Sequence, residues 1–327
     1  MNRKKYVDAA KVVGLLCIVL AHVSPPATIA QIRNFDVPLM VMLSGILAHD
    51  AYERSMHQNL GYISYMRKRF LRLVLPVWLF LIPFIIGRVI FVRDLQVDEI
   101  VGSFLLERDS IGYVWIIMVY LVCALLVPLL RKVNIFSVKH LAIVVGAYIL
   151  FEVACALNLS TTVSALDDIL YYIVPYGCIT LLGLNYERLS RKTRLSIAAC
   201  ALAIFAVMAC GFYIQRGTFV YTQEWKYPAR LYYLSYAIAV GLLVMEGLQL
   251  APEKVLRHRI IVFISSSSLW IYLWHILMLW IVRIYIWPIR FVLVFAASCV
   301  VAFLQEKVVC FLEKKSFPKG LLRVLRG

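Results

Sequence analysis

The chain has 327 residues; 63% of them are hydrophobic, only 16% are charged, and the mean hydropathy is +0.84. A water-soluble domain of this length has too small an interior to enclose so much apolar surface, so the composition excludes a soluble globular protein. The formal net charge of +16 does not call for a nucleic-acid partner, because the basic residues are spread over the ends of apolar segments.

Ten apolar segments follow one another along the chain, and each is long enough to cross a bilayer as a helix. They cover residues 6–23, 35–52, 70–91, 112–130, 139–157, 167–185, 195–214, 229–250, 261–285 and 288–312. Short polar stretches separate them, and no internal repeat or soluble appendage is visible. The sequence therefore predicts an all-α integral membrane fold of about ten transmembrane helices, a single domain over residues 1–327 surrounded by membrane lipids.

The basic residues predict the orientation of this fold. Of the 34 lysines and arginines, 23 fall in six groups that share one side of the membrane if the helices alternate in direction. These groups occupy residues 3–5, 54–72, 131–139, 188–194, 254–259 and 314–326. Since basic loops stay in the cytoplasm, both termini are expected there, in a multi-pass protein of the plasma (inner) membrane.

The first apolar segment contains three ionisable residues, Asp8, Lys11 and His22, within the stretch VDAAKVVGLLCIVLAH. An α-helix turns about 100° per residue, so Lys11 and His22 lie on one stripe and Asp8 lies beside it. Ionisable groups inside a span face the protein interior or a wet cavity. The alternatives are an interfacial ion pair for Asp8 with Lys11, and a helix-end residue among lipid headgroups for His22.

A second histidine lies inside the ninth segment, in SSSSLWIYLWH. His275 reaches a depth similar to that of His22, and Ser268 and Tyr272 share its helix face. A lone buried histidine is usually satisfied by a nearby hydroxyl, and this alternative remains open for His275. Two intramembrane histidines at matching depth favour a site that handles protons.

The second segment opens with FDVPLMVMLSG. Asp36 stands at its outer end, where a carboxylate is able to orient the His22 imidazole as the third member of a catalytic triad does. The alternative for Asp36 is a helix N-cap. Ser44 and Gly45 lie in mid-span, where small residues allow close helix packing.

The third segment begins with the basic stretch RKRFLRLVLPVW. Arg69 and Arg72 share one helix face, and Lys68 lies beside them. Guanidinium groups in this arrangement suit a multiply phosphorylated ligand that arrives from the cytosol. The alternative is an anchor that only fixes the orientation.

Together these elements resemble the membrane-bound acyltransferase type 3 family, in the part that includes sugar O-acetylases. The matching elements are Asp8, Lys11 and His22; Phe35, Pro38, Ser44 and Gly45; Lys68, Arg69, Phe70, Arg72, Leu73 and Pro76; and Ser268, Leu269, Tyr272 and His275. Their order and spacing match along nearly the whole chain. Two positions depart from the family pattern: Lys11 replaces a frequent arginine, and Phe35-Asp36-Val37-Pro38 replaces a common His-Met-Pro, so a third histidine of some relatives is missing.

The resemblance implies a transferase that moves an acyl group, usually acetyl, from cytosolic acyl-CoA to a hydroxyl of a surface polysaccharide, an O-antigen-like glycan or a lipid-linked sugar. Acyl-CoA is the donor substrate in this interpretation; no permanently bound cofactor and no metal is expected. The residues that it assigns to the donor are Lys11, Lys68, Arg69 and Arg72. The expected general base is His22, oriented by Asp36; His275 and Tyr272 hold the acceptor or stabilise the thioester oxyanion, and Asp8, Ser44 and Ser268 support the site.

Two other classes of protein remain compatible with the sequence. A proton-coupled transporter or exporter also needs intramembrane His, Lys and Asp, although repeated halves and paired Gly/Pro-interrupted spans are not visible. A non-catalytic membrane subunit of a polysaccharide assembly complex is the other alternative. Dependence on acyl-CoA separates the enzyme from both.

Overall fold

The structure, a computed structural model, describes residues 4–92, 95–108, 110–111, 113–159 and 164–326, and for residues 164–170 the backbone only. Arg3, which belongs to the first basic group, lies outside these residues. Helices account for 81% of the described residues, which contain no strand. The prediction of an all-α fold is therefore confirmed.

The helices of the described residues run in the following order. They are α1 (Lys5–Ala21), α2 (Ala27–Arg33), α3 (Asp36–His57), α4 (Gly61–Phe91), α5 (Val97–Phe104), α6 (Trp115–Leu130), α7 (Val138–Ala156), α8 (Ser164–Asn185), α9 (Arg191–Arg216), α10 (Leu231–Gln249), α11 (Glu253–Leu256), α12 (Arg259–Ser266), α13 (Ser268–Ile281), α14 (Trp287–Lys314) and α15 (Lys319–Arg326). Two short 3₁₀ helices, Tyr186–Arg188 and Thr222–Trp225, precede α9 and α10.

Five of these helices are long and apolar enough to cross a membrane: α4, α7, α9, α10 and α14. Helices also cover the other expected segments. However, α1 and α6 have only 17 and 16 residues, about 25 Å of helix against a hydrocarbon core of about 30 Å. Ten complete spans and the side on which the termini lie stay predictions.

The expected ninth span, residues 261–285, is not one straight helix. It consists of α12 and α13, which meet at Ser267 with a bend of 77°. The bend falls within the serine run 265–268, and the Ser266 hydroxyl donates to the carbonyl of Phe263. Serine side chains that bond to backbone groups compete with the helical hydrogen bonds, which favours a break at this point. The two helices are together long and apolar enough for one span with a break, and a complete crossing at 261–285 stays a prediction.

The helix ends of α9 show how local sequence sets the boundaries. The hydroxyl of Ser190 accepts a hydrogen bond from the Thr193 amide, which satisfies one of the amide groups left unpaired at a helix start. Gly217 ends the helix in the left-handed conformation, with φ of 70°, which glycine adopts without steric cost.

The chain forms two compact units. Unit 1 comprises Met1–Pro26, Met66–Met118 and Pro252–Gly327, and unit 2 comprises Ala27–Tyr65 and Val119–Ala251. In unit 1, α13 packs on α14, and α1 packs on α12 and α13. In unit 2, α3 packs on α8 and α10 packs on α9. Residues from both ends of the chain therefore meet within unit 1.

The contact between α3 and α8 in unit 2 is a contact between backbones. A Cβ atom added at Gly45 would lie 2.8 Å from the Thr180 carbonyl oxygen, and one at Gly183 would lie 2.3 Å from that of Met42. Both distances are too short for a side chain. Gly45 therefore serves the close helix packing that its mid-span position predicts.

Candidate active site

The two intramembrane histidines meet in unit 1. His22 follows the last residue of α1, and its Nδ1 lies 3.0 Å from Nε2 of His275 on α13. The two rings are nearly parallel, with centroids 5.1 Å apart. His275 is fully buried, whereas His22 is half-buried. A group from solvent or substrate therefore reaches His22 more readily than His275.

The partners of His275 decide where the protons of this pair lie. Its Nδ1 contacts the backbone carbonyl oxygen of Tyr272, and because a carbonyl only accepts, Nδ1 must carry the hydrogen. In the neutral ring, Nε2 then bears the lone pair and accepts from Nδ1 of His22. The neutral His22 consequently holds its own lone pair on Nε2, which is the arrangement of a general base.

A tyrosine that sequence reasoning did not single out completes the surroundings of His22. The edge of the Tyr113 ring packs against His22, with centroids 4.7 Å apart and planes at 85°. The hydroxyl of Tyr272 donates to the backbone carbonyl of Tyr113. The single hydroxyl proton of Tyr272 therefore makes a hydrogen bond to Tyr113. The sequence had suggested that it donates to the oxyanion of the thioester. No pattern in the sequence indicates this role of Tyr113.

The inner part of α1 is fixed to the bent segment by a second contact. The hydroxyl of Ser265 donates to the carboxylate of Asp8 over 2.6 Å, and both side chains are buried. Lys11, one turn further along α1, is half-buried, and Ser268 is the half-buried first residue of α13. Ser265 was missed as a partner of Asp8; the serine run was its only signal in the sequence.

The basic residues expected to hold the donor belong to the same unit as the histidines. Lys68, Arg69 and Arg72 lie on α4, and all three are in the part of this helix that belongs to unit 1. Arg69 is half-buried, whereas Lys68 and Arg72 are exposed. The two arginines lie close enough to repel each other electrostatically. Such a pair is favourable when an anion lies between the guanidinium groups.

Asp36 has other partners than the imidazole expected from the sequence. It lies in unit 2, where it accepts hydrogen bonds from Arg33 over 2.8 Å and from the amide of Val37 over 2.8 Å. The ammonium group of Lys226 lies 3.5 Å away. Burial lowers the pKa of Lys226, and the Asp36 carboxylate acts in the opposite direction. The partner of His22 Nδ1 is His275.

Comparison with known proteins places these residues in a family. A family model described as an acyltransferase domain, that of acyltransferase 3, matches residues 4–304. The chain belongs to this family. The match includes both histidines, Asp8 and the basic residues of α4, so the resemblance seen in the sequence is confirmed. Comparison with curated proteins and with solved structures gave no match.

An acyltransferase of this family is a transferase in a membrane. Among the described residues, no three His, Cys, Asp or Glu side chains are arranged to hold a metal ion. Unit 1 contains two hydrogen-bonded imidazoles, a buried carboxylate, and cationic side chains on α1 and α4. Ser44, another expected supporting residue, is half-buried on α3 in unit 2.

Proposed function

We propose that this acyltransferase moves an acyl group, above all acetyl, from cytosolic acyl-CoA to a hydroxyl of a cell-surface glycan or lipid-linked sugar. The observation that carries the proposal is the hydrogen bond between His22 and His275. A sugar hydroxyl is a weak nucleophile near neutral pH, and a positioned imidazole is the side chain best suited to activate it.

The reaction needs one proton to move twice. Nε2 of His22 takes the proton of the acceptor hydroxyl as the oxygen attacks the thioester carbonyl carbon. The tetrahedral intermediate then collapses, the carbon–sulfur bond breaks, and the departing thiolate takes the proton from His22. The products are an ester and the free thiol of CoA, and His22 returns to its neutral form.

His275 takes the orienting role that the sequence suggested for Asp36. Its Nε2 accepts from Nδ1 of His22 in the neutral state and equally in the imidazolium state, so it holds the ring direction and stabilises the charge that develops. The Tyr272 carbonyl in turn fixes the tautomer of His275. Asp36, with its own cationic partners, is not needed for this step.

The donor is held by cations in this proposal. CoA carries phosphate groups, and Arg69 and Arg72 provide planar guanidinium groups that bind phosphate with two parallel hydrogen bonds each. Lys68 and Lys11 add positive charge on α4 and α1. With both termini in the cytoplasm of a ten-span protein at the plasma membrane, the basic end of α4 faces the cytosolic CoA pool.

The direct test uses membranes that contain the protein, radiolabelled acetyl-CoA and the glycan of the host cell. We expect label in the glycan and free CoA thiol in equal amounts. Mass spectrometry of surface glycans from a deletion strain should show the loss of one acetyl group per modified sugar. Transport of an unmodified glycan, or assembly that proceeds without acyl-CoA, would instead identify a transporter or a non-catalytic subunit.

A further inference from the structure

A buried polar network occupies the junction of α2 and α3 with the loop before α10, in unit 2. Five of its side chains are less than 10% exposed: Arg33, Asn34, Asp36, Thr222 and Lys226. Asn34 donates to the Thr222 hydroxyl over 2.9 Å and accepts from Lys226 over 3.1 Å. Buried charges of this kind are costly and persist where they are paired or serve a ligand.

The charges of this network do not balance. Arg33 and Lys226 are two cations, and Asp36 is one anion. The carboxylate is already used, because one oxygen accepts from Arg33 and the other from the Val37 amide and Lys226. One positive charge is therefore left over in a site from which water is largely excluded.

The polar atoms without a partner in this region are all able to donate. Within the described residues, no hydrogen-bond partner is present for Nε of Arg33, Nε2 of Gln31, or the hydroxyls of Tyr176 and Tyr233, and all four atoms are buried. The tyrosines are 1% and 0% exposed. A buried group of donors that lacks acceptors calls for a ligand rich in acceptors.

The tyrosines belong to the same site as the cations. The ammonium group of Lys226 lies 5.6 Å from the centroid of the Tyr233 ring. The Tyr233 hydroxyl is also within electrostatic reach of Arg33, Asp36 and Tyr176. The surplus positive charge and the unpaired hydrogen-bond donors therefore lie in the same site.

We propose that unit 2 binds a single oxyanion group, a carboxylate or a phosphate, between Arg33, Lys226, Tyr176 and Tyr233. Such a group supplies one negative charge and several acceptor atoms, which matches both surpluses. On the proposed function, this group belongs to the acceptor: the carboxylate of an acidic sugar or the phosphate of a lipid-linked one. The segments that contribute Arg33 and Lys226 are two of those expected on the outer side of the membrane.

The test measures thermal unfolding of the full-length protein purified in detergent, at constant ionic strength. The probes are inorganic phosphate, glucuronate and neutral glucose, without any acyl-CoA. We expect phosphate or glucuronate to raise the Tm, because a ligand that binds only the folded state stabilises it, and glucose to have no effect. Stabilisation by phosphate indicates a lipid-linked acceptor, and stabilisation by glucuronate indicates an acidic sugar. No rise with either anion overturns the proposal.

Three variants test whether the anion binds between these residues. Tyr176→Phe and Tyr233→Phe each remove a donor to a charged group and should raise the apparent Kd for the anion about tenfold. Lys226→Met leaves a balanced Arg33–Asp36 pair and should abolish the rise in Tm. Both Tyr→Phe variants should fold at least as well as the wild type, since an unpaired buried hydroxyl costs stability.

Tyr148→Phe is the matched control, because its hydroxyl is also buried in unit 2 but lies beside Glu152 instead of the network. It should bind the anion as the wild type does. Equal binding by all variants means adventitious binding elsewhere and refutes the site. Transfer to a neutral acceptor with full activity, together with anion binding at this site, would refute its link to the acceptor while leaving the acyltransferase assignment intact.

Discussion

At the scale of single residues, a backbone carbonyl determines the chemistry of the histidine pair. The Tyr272 carbonyl only accepts hydrogen bonds. The hydrogen of each neutral ring is therefore on Nδ1, in His275 and in His22 alike. The lone pair that remains is on the half-buried histidine. The roles that we propose for the two histidines, base and orienting residue, therefore rest on one contact with the backbone of Tyr272.

The first prediction concerns His22→Ala and His275→Ala. General acid–base catalysis contributes about 10²- to 10⁴-fold, so His22→Ala should reduce acetyl transfer by about this factor. His275→Ala should also reduce it strongly, because the His22 tautomer is no longer fixed. The measurement is glycan acetylation in membranes that contain equal amounts of folded protein.

Asp36→Asn is the comparison for these two variants. It should leave the chemical step at His22 intact and change the apparent affinity for an acidic acceptor instead. If His22→Ala keeps most of its activity while His275→Ala is inactive, the base is His275 and the assignment is reversed.

The sequence was sufficient to select the two histidines but not their partners. The helical stripe of α1 and the matching depth of His275 follow from spacing alone, and the 3.0 Å contact agrees with them. Ser265 and Tyr113 were not found, because a hydroxyl or a ring edge leaves no periodic signal. We predicted that Asp36 contacts His22 because both residues lie at a similar depth. Depth along a helix does not determine which neighbouring side chain a carboxylate contacts.

At the scale of elements, Arg69 and Arg72 lie on one face of α4, whereas Arg67 lies on another. The second prediction is that Arg69→Ala and Arg72→Ala weaken acyl-CoA binding, each by about 1.5–3 kcal/mol, since each removes a charge-assisted contact to phosphate. Binding of acyl-CoA to the purified protein measures this effect. Protein abundance should change little.

Arg67→Ala is the matched control on the same helix. Arg67 is exposed and lies two residues before Arg69, so it belongs to the same basic stretch without facing the same side of the helix. Unchanged affinity in the Arg69 and Arg72 variants, or an equal loss in all three, would mean that this stretch is only a topology anchor.

The third prediction concerns the packing of α3 on α8. Gly183→Ala should destabilise the protein by about 1–3 kcal/mol, because the new methyl group overlaps the Met42 carbonyl oxygen and forces the helices apart. Gly146→Ala on α7 is the control, since no atom lies within 4 Å of the added carbon. It should be neutral or stabilising, because alanine favours the helix. Thermal unfolding in detergent should separate the two, and equal Tm values would contradict the backbone contact.

The positions of the helices were predictable, while the break between α12 and α13 was not. Hydropathy located the helical segments, because an apolar segment in lipid must satisfy its backbone hydrogen bonds within itself. A run of four serines is compatible with both outcomes. The hydroxyls compete for backbone hydrogen bonds and favour a break, whereas the small side chains fit into a continuous helix. At this break, Ser265 also makes a tertiary hydrogen bond to Asp8, a contact between residues 257 positions apart that hydropathy does not report.

At the scale of the whole molecule, charge asymmetry is the source of the proposed orientation. The fourth prediction is that cysteines introduced in residues 24–34 and 216–229 react with a membrane-impermeant label from outside the cell. Cysteines in place of Arg67 to Arg69 should be protected unless the membrane is permeabilised. Labelling of the latter in intact cells would reverse the orientation and with it the side on which the donor binds.

The two ligand sites that we propose belong to different units of the chain. Unit 1 contains the histidines together with the cations proposed for the donor, and unit 2 contains the oxyanion site proposed for the acceptor. Each unit is assembled from separate stretches of the chain. Sequence order therefore gave no indication of this division, since hydropathy reports which segments are apolar and not which of them pack together.

The two contacts that fix α1 have a consequence for how its sequence is able to vary. Asp8 is bonded to Ser265, and His22, about 21 Å further along the axis, is bonded to His275. One inserted residue would shift His22 by about 1.5 Å and rotate it by about 100°, so both bonds cannot survive it. Exchanges of one apolar residue for another between these points leave the spacing intact. We therefore expect α1 to tolerate many substitutions and no insertion or deletion: its length, more than its composition, is under constraint.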